Sequence, residues 1–124
     1  MANPNIYGAT SIVGNNSLTS LTATTATSIV SNAASSSKIF KMNRLVVTNV
    51  DTSAPYLITI NIYSAAALGG TAYATVSTLS VPAGAALVVM DKTNGIYLKE
   101  DQSIGATAGT ANKFIVTASW DEIS

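Results

Sequence analysis

The chain alternates between short stretches of period-two patterning and clusters of turn residues. The clearest stretch covers residues 56–63, where Tyr56, Ile58, Ile60 and Ile62 point one way and Leu57, Thr59, Asn61 and Tyr63 the other. That alternation is what a half-buried strand requires. Residues 38–50 predict a second strand, with Leu45, Val47 and Asn49 opposed to Val46, Thr48 and Val50. Residues 71–81 predict a third, with Tyr73, Thr75, Ser77, Leu79 and Val81 on one face. Shorter candidates follow at 25–30, 85–90, 96–98, 103–108 and 113–120, the last with Phe114, Val116, Ala118 and Trp120 on one face. Turn chemistry separates them: 51–55 (DTSAP), 64–70 (SAAALGG), Pro82-Ala83-Gly84, and 91–95 (DKTNG) with its Asn94-Gly95 pair, the strongest short hairpin signal. Seven or eight short strands and no helical periodicity predict an all-β chain, a single antiparallel β-sandwich of jelly-roll or Ig-like type.

Residues 1–16 break the pattern. Pro4, Gly8, Gly14 and four asparagines disfavour a helix and predict an extended N-terminal arm, with residues 17–124 as the sandwich domain. Asn5, Ile6, Tyr7, Ile12 and Val13 are the arm residues suited to pin it to another surface.

Composition reinforces the strand reading. Val, Ile and sixteen threonines are β-branched, which suits a pleated surface and costs rotamer freedom in a helix. At 124 residues one domain is expected. Charged residues make up 10% of the chain, against about 25% in an average globular protein. Six basic and six acidic side chains cancel, leaving no net field to draw in nucleic acid or an acidic membrane. No run of apolar residues is long enough for a spanning helix, because Pro55, Gly69, Gly70, Pro82 and Gly84 interrupt residues 50–91. Residues 1–16 lack the basic and apolar regions of a signal peptide. A neutral surface of Ser, Thr, Ala and Asn suits close packing against neighbours more than life as a concentrated monomer.

The chemistry of catalysis is thin. Cysteine and histidine are both absent, which excludes disulfides, thiolate sites and the commonest metal ligand and general base. Glu100-Asp101 and Asp121-Glu122 are adjacent carboxylates, and neighbours on a strand face opposite ways, so neither pair converges on one bond. In a turn such a pair could share a calcium ion, but a solvated corner and a polar C-terminus are the preferred reading. Ser35, Ser36 and Ser37 ahead of Lys38 fit a loop better than a nucleophile with its base. Lys38, Lys41 and Arg44 beside Phe40 make a weak nucleic-acid footprint, and an edge strand protected by lysine is the preferred reading. Asn15-Asn16-Ser17 matches a glycosylation acceptor, as chance predicts in a chain this rich in Ser and Asn. Trp120, the sole tryptophan, is expected to close the core. Tyr7, Tyr63, Tyr73 and Tyr97 are candidates for a carbohydrate groove, although tyrosines at alternating positions more often pack. No catalytic residue, cofactor or metal is expected.

Several stretches carry a resemblance. The opening Asn3-Pro4-Asn5-Ile6-Tyr7-Gly8-Ala9-Thr10-Ser11-Ile12, the segment Val46-Val47-Thr48-Asn49-Val50-Asp51 and the corner Val81-Pro82-Ala83-Gly84-Ala85 are three of them. Ile96-Tyr97-Leu98-Lys99-Glu100-Asp101-Gln102-Ser103-Ile104 and the close Ser119-Trp120-Asp121-Glu122-Ile123-Ser124 are two more. Together they resemble small virion structural proteins of marine tailed phages infecting cyanobacteria. Trp120 and Asp121 stand where that pattern usually has Tyr and Glu. The resemblance implies a non-enzymatic virion component, assembled in the host cytoplasm. The leading expectation is a capsid decoration or cement protein that stabilises the head shell. A tail, neck or fibre-base component is the alternative, and a carbohydrate-binding surface sandwich ranks third. Partners would be the major capsid protein, other virion proteins and further copies of the chain, a trimer being the expected oligomer, with no nucleic acid and no membrane.

Overall fold

The computed structural model describes residues 5–124; residues 1–4 of the expected arm lie outside the described residues. A 3-10 turn at Ile6–Gly8 precedes nine strands. They are β1 (Ile12–Leu21), β2 (Thr27–Asn32), β3 (Ile39–Asn49), β4 (Tyr56–Ala65), β5 (Gly69–Val81), β6 (Ala86–Met90), β7 (Tyr97–Leu98), β8 (Gln102–Ala108) and β9 (Phe114–Ile123).

Every pairing among the described strands is antiparallel, and four steps follow one another along the chain: β4 with β5, β3 with β6 and β7, β2 with β8, and β1 with β9, while β3 with β9 and β4 with β8 complete the sheets. The chain is therefore one long ribbon doubled at the β4–β5 turn. Rolling that ribbon yields a first sheet in the order β1-β9-β3-β6, with β7 also on β3, and a second in the order β2-β8-β4-β5. That winding is the jelly roll, so of the two sandwich types expected this is the one formed.

The inner faces carry the core. Leu45 and Val47 of β3, Val116 of β9, Ile58 and Ile60 of β4 and Ile104 and Ala106 of β8 are buried. Trp120 closes one end of the core, stacked on Phe40 with ring centroids 6.0 Å apart. Two asparagines are buried at strand ends. Asn32 donates to the carbonyls of Lys38 and Leu98, and Asn49 donates to those of Ala54 and Val81. Each ties a connecting segment to a strand of the other sheet through carbonyls on both, so the buried amide is satisfied.

Three sequence expectations change here. The arm boundary after residue 16 falls inside β1, which runs in unbroken register from Ile12 against Ile123 to Leu21 against Phe114. Residues 12–16 are thus a sheet strand whose low apolar content hid it. β3 is not an edge, since β9 flanks it on one side and β6 and β7 on the other. Its residues Lys41 and Arg44 do not protect a margin; a bulge between Met42 and Arg44 brings both to the outer face. β5 loses the expected period of two. Leu79, Val76 and Tyr73 stand opposite Ile58, Ile60 and Ile62, because register shifts and the left-handed Thr78 insert extra residues. Tyr63, by contrast, lies on the face its alternation predicts and packs there, buried over Gly105 on the outer side of the second sheet.

Candidate interaction surface

The arm candidates lie in two places. Asn5 caps the 3-10 turn, its Oδ1 accepting from the Tyr7 backbone N–H at 3.0 Å. The turn presents Ile6 and a fully exposed Tyr7. Ile12 and Val13 open β1, where they are 65% and 56% exposed and lie opposite Ile123 and Glu122. Ser11 and Ser124 join the two groups by exchanging backbone hydrogen bonds of 3.1 and 2.9 Å.

β1 contributes one further residue to this surface, beyond the arm candidates. Leu18 is 74% exposed. Its neighbour Ser17 faces inward with Ala118, so Leu18 faces out. In register, Leu18 stands beside Thr117, Thr117 beside Val46, and Val46 beside Val88. Ile115, on the next row, is also exposed. A neutral band therefore crosses the outer face of the first sheet. Nothing in the local string NNSLTSL marks Leu18 as exposed, because a single leucine among small polar residues reads as an anchor.

A charged belt borders that band. Asp121 lies between Gly14 and Lys41, and Lys41 beside Tyr97. Beyond it, Glu122 accepts from Asn15 at 2.8 Å, from Lys38 at 3.1 Å and from the Trp120 indole at 3.2 Å. Partial burial pushes the Glu122 carboxyl up, and those donors with the Lys38 charge outweigh it, so it rests below its usual range. At the opposite end Lys113 donates to Asp51 at 2.6 Å and sits 5.1 Å above the Tyr56 ring. That bond and those from Ser53 hold Asp51 well below the ordinary carboxylate range. Both groups are ion pairs that fasten strand ends. A shallow recess of about 370 Å³ between β1 and β9 is lined by Gly14, Asn15, Asn16, Ser119, Trp120 and Asp121.

The remaining candidates have structural duties or stand apart. Asp101 accepts from the Ala66 N–H, Ser31 from the Ala67 N–H and Ser103 from the Leu68 N–H, which docks the β4–β5 turn on the second sheet. Among the described residues, no three His, Cys, Asp or Glu side chains gather as a metal site. Tyr7, Tyr73 and Tyr97 are exposed, contrary to the expected packing, but lie on the N-terminal turn, on β5 and on β7. Among the described residues, no helix is long and apolar enough to cross a membrane.

No family model matches the chain, and no curated protein matches its sequence. Solved structures do. The chain is similar to one in a structure described as "Bacillus endospore appendages form a novel family of disulfide-linked pili", with a TM-score of 0.54 and 19% identity over 100% of this chain and 96% of that one. That likeness shows the fold. A second, described as "Cyanophage Pam1 capsid asymmetric unit", gives a TM-score of 0.40 and 12% identity over 99% of this chain and 91% of the other, too distant to argue from.

Proposed function

We propose that this chain is a non-enzymatic structural subunit of a phage virion, a decoration protein that stabilises the head shell through neutral interfaces. The observation that carries this reading is the placement of charge. No Asp, Glu, Lys or Arg occurs in residues 1–37 or 52–90, so β1, β2, β4, β5 and β6 carry none. Natural sheet proteins put lysine or other charges on strand margins to prevent association. Here the margins β1 and β5 have none and expose Ile12, Val13, Leu18, Tyr73 and Leu79 instead. Interface cores are likewise depleted of charge and hold apolar and aromatic residues. Asn5, Ile6, Tyr7, Ile12 and Val13 form the anchoring end of this surface.

The sequence resemblance to virion structural proteins supports the choice of assembly. The jelly-roll likeness to a chain of disulfide-linked pili supports an assembled role more generally. Without cysteine, this chain would hold its place by non-covalent contact.

The test is co-sedimentation of the purified protein with shells built from the major capsid protein. Binding to shells, weakened by Tyr7→Ala together with Val13→Lys and little affected by salt, is expected. Binding to purified tails but not to shells would move the protein to the tail or neck.

A further inference from the structure

We propose that β1 is a self-pairing edge: two copies join their first sheets antiparallel, β1 to β1, about a two-fold axis at Asn15. The proposal does not depend on which assembly the protein serves.

Among the described residues, β1 ends its sheet and has β9 on one side only. Ser11 and Ser124 exchange both backbone hydrogen bonds, and in an antiparallel ladder such pairs alternate. The N–H and C=O groups of residues 13, 15, 17 and 19 therefore turn to β9. Those of Ile12, Gly14, Asn16, Leu18 and Ser20 turn to the open margin. The Asn16 N–H is held by the side chain of Asn15 at 2.8 Å, an exposed local bond that a partner carbonyl can replace.

β1 is the margin best fitted to this. Its ten residues pair with β9 without a register shift, whereas β5 is shifted against β4 at three places and β2 and β6 are short and bulged. Bulges bend a margin away from pairing, and charges repel it; β1 has neither. Val13 and Asn15 are exposed even though they lie on the inner side of the sheet, so the second sheet leaves room beside β1 for another strand.

The sequence of β1 matches itself. About an axis at Asn15, Ile12 lies opposite Leu18 of the second copy, and Gly14 opposite Asn16. The two most exposed apolar side chains of the strand cover each other on the outer face, and glycine leaves space for the asparagine. Moving the axis by one residue, to Asn16, sets Leu18 against Gly14 and Ile12 against Ser20 and loses that match. A self-facing patch of this kind closes as a two-fold dimer, in place of the trimer expected from the sequence.

Sedimentation velocity of the full chain from about 1 µM to about 1 mM tests the pairing. A reversible dimer is expected, with Leu18→Lys weakening it at least about tenfold while leaving the circular dichroism spectrum and melting point in place, since the side chain is already in solvent. Register is tested by air oxidation of single-cysteine variants in this cysteine-free chain. Asn15 would face its own copy as a non-hydrogen-bonded pair, with Cα atoms about 4.5 Å apart, within disulfide reach. Asn15→Cys should give a disulfide-linked dimer, and Ser17→Cys, which faces Val13, should not. A monomer throughout the range, a trimer, a dimer unaffected by Leu18→Lys, or equal cross-linking at both positions would overturn the proposal.

Discussion

Lys113 donates to Asp51 across 2.6 Å, fastening the turn after β3 to the residue that leads into β9. The hydrogen bond lowers the Asp51 pKa from its ordinary 3.8 and raises that of Lys113 from 10.5. A carboxylate held low stabilises the fold above its unfolded pKa and stops doing so as pH falls. An amine held high does so below its unfolded pKa and stops as pH rises. Thermal stability should therefore be level between about pH 5 and pH 10 and fall on both sides. Glu122, also held low, adds to the acid limb. Lys113→Met should lower the melting point at pH 7 and flatten the alkaline limb; an unchanged alkaline limb would contradict the pairing.

Asn49 is the second test of what holds the roll together. Its amide meets the carbonyls of Ala54 and Val81, while its oxygen accepts from the Asp51 N–H at 3.0 Å. Asn49→Ala strands those buried groups and should cost about 2–4 kcal/mol in urea unfolding. Asn49→Asp keeps the acceptor but not the donors and should also destabilise.

Gly105 makes the packing over the second sheet measurable. A Cβ there would come within 2.7 Å of Leu68 Cδ2 and 3.0 Å of Tyr63 Cε2. Gly105→Ala should cost about 1–3 kcal/mol through overpacking, with Gly105→Val costing more. Adding Leu68→Ala to Gly105→Ala should recover part of the loss, a coupling readable from a double-mutant cycle.

Truncation separates the N-terminal turn from β1. Removing residues 2–9 spares the Thr10 and Ser11 bonds to Ser124 and should leave stability nearly unchanged while reducing shell binding. Removing residues 2–16 strips half of β1 and the Asn15–Glu122 bond and should cost about 2–4 kcal/mol. Equal stability of the two truncations would contradict the pairing of residues 12–16.

Strands buried on one regular face were legible in the sequence. Ile58 and Ile60 in β4, and Phe114, Val116, Ala118 and Trp120 in β9, point inward as their alternation predicts. What escaped was set by tertiary partners. β1 has only Leu21 fully buried, so its strand character comes from the β9 ladder and not from its own pattern. The left-handed Thr78 breaks the parity of β5, so its two faces do not follow its residue alternation. Lys41 and Arg44 suggested an edge because charge on a strand usually marks one, but here they cross the outer face of a central strand. Of the surface residues, Tyr7, Ile12 and Val13 were readable as large apolar groups in a segment rich in turn residues. Leu18 needed the register with β9 to show which way it faces.

A stoichiometric structural subunit of a virion is present in every particle in fixed number. Quantitative mass spectrometry of purified particles counts this chain against the major shell protein. Copies in fixed proportion to the shell, near the number of shell subunits, are the expected result. Absence from the particles would contradict the account.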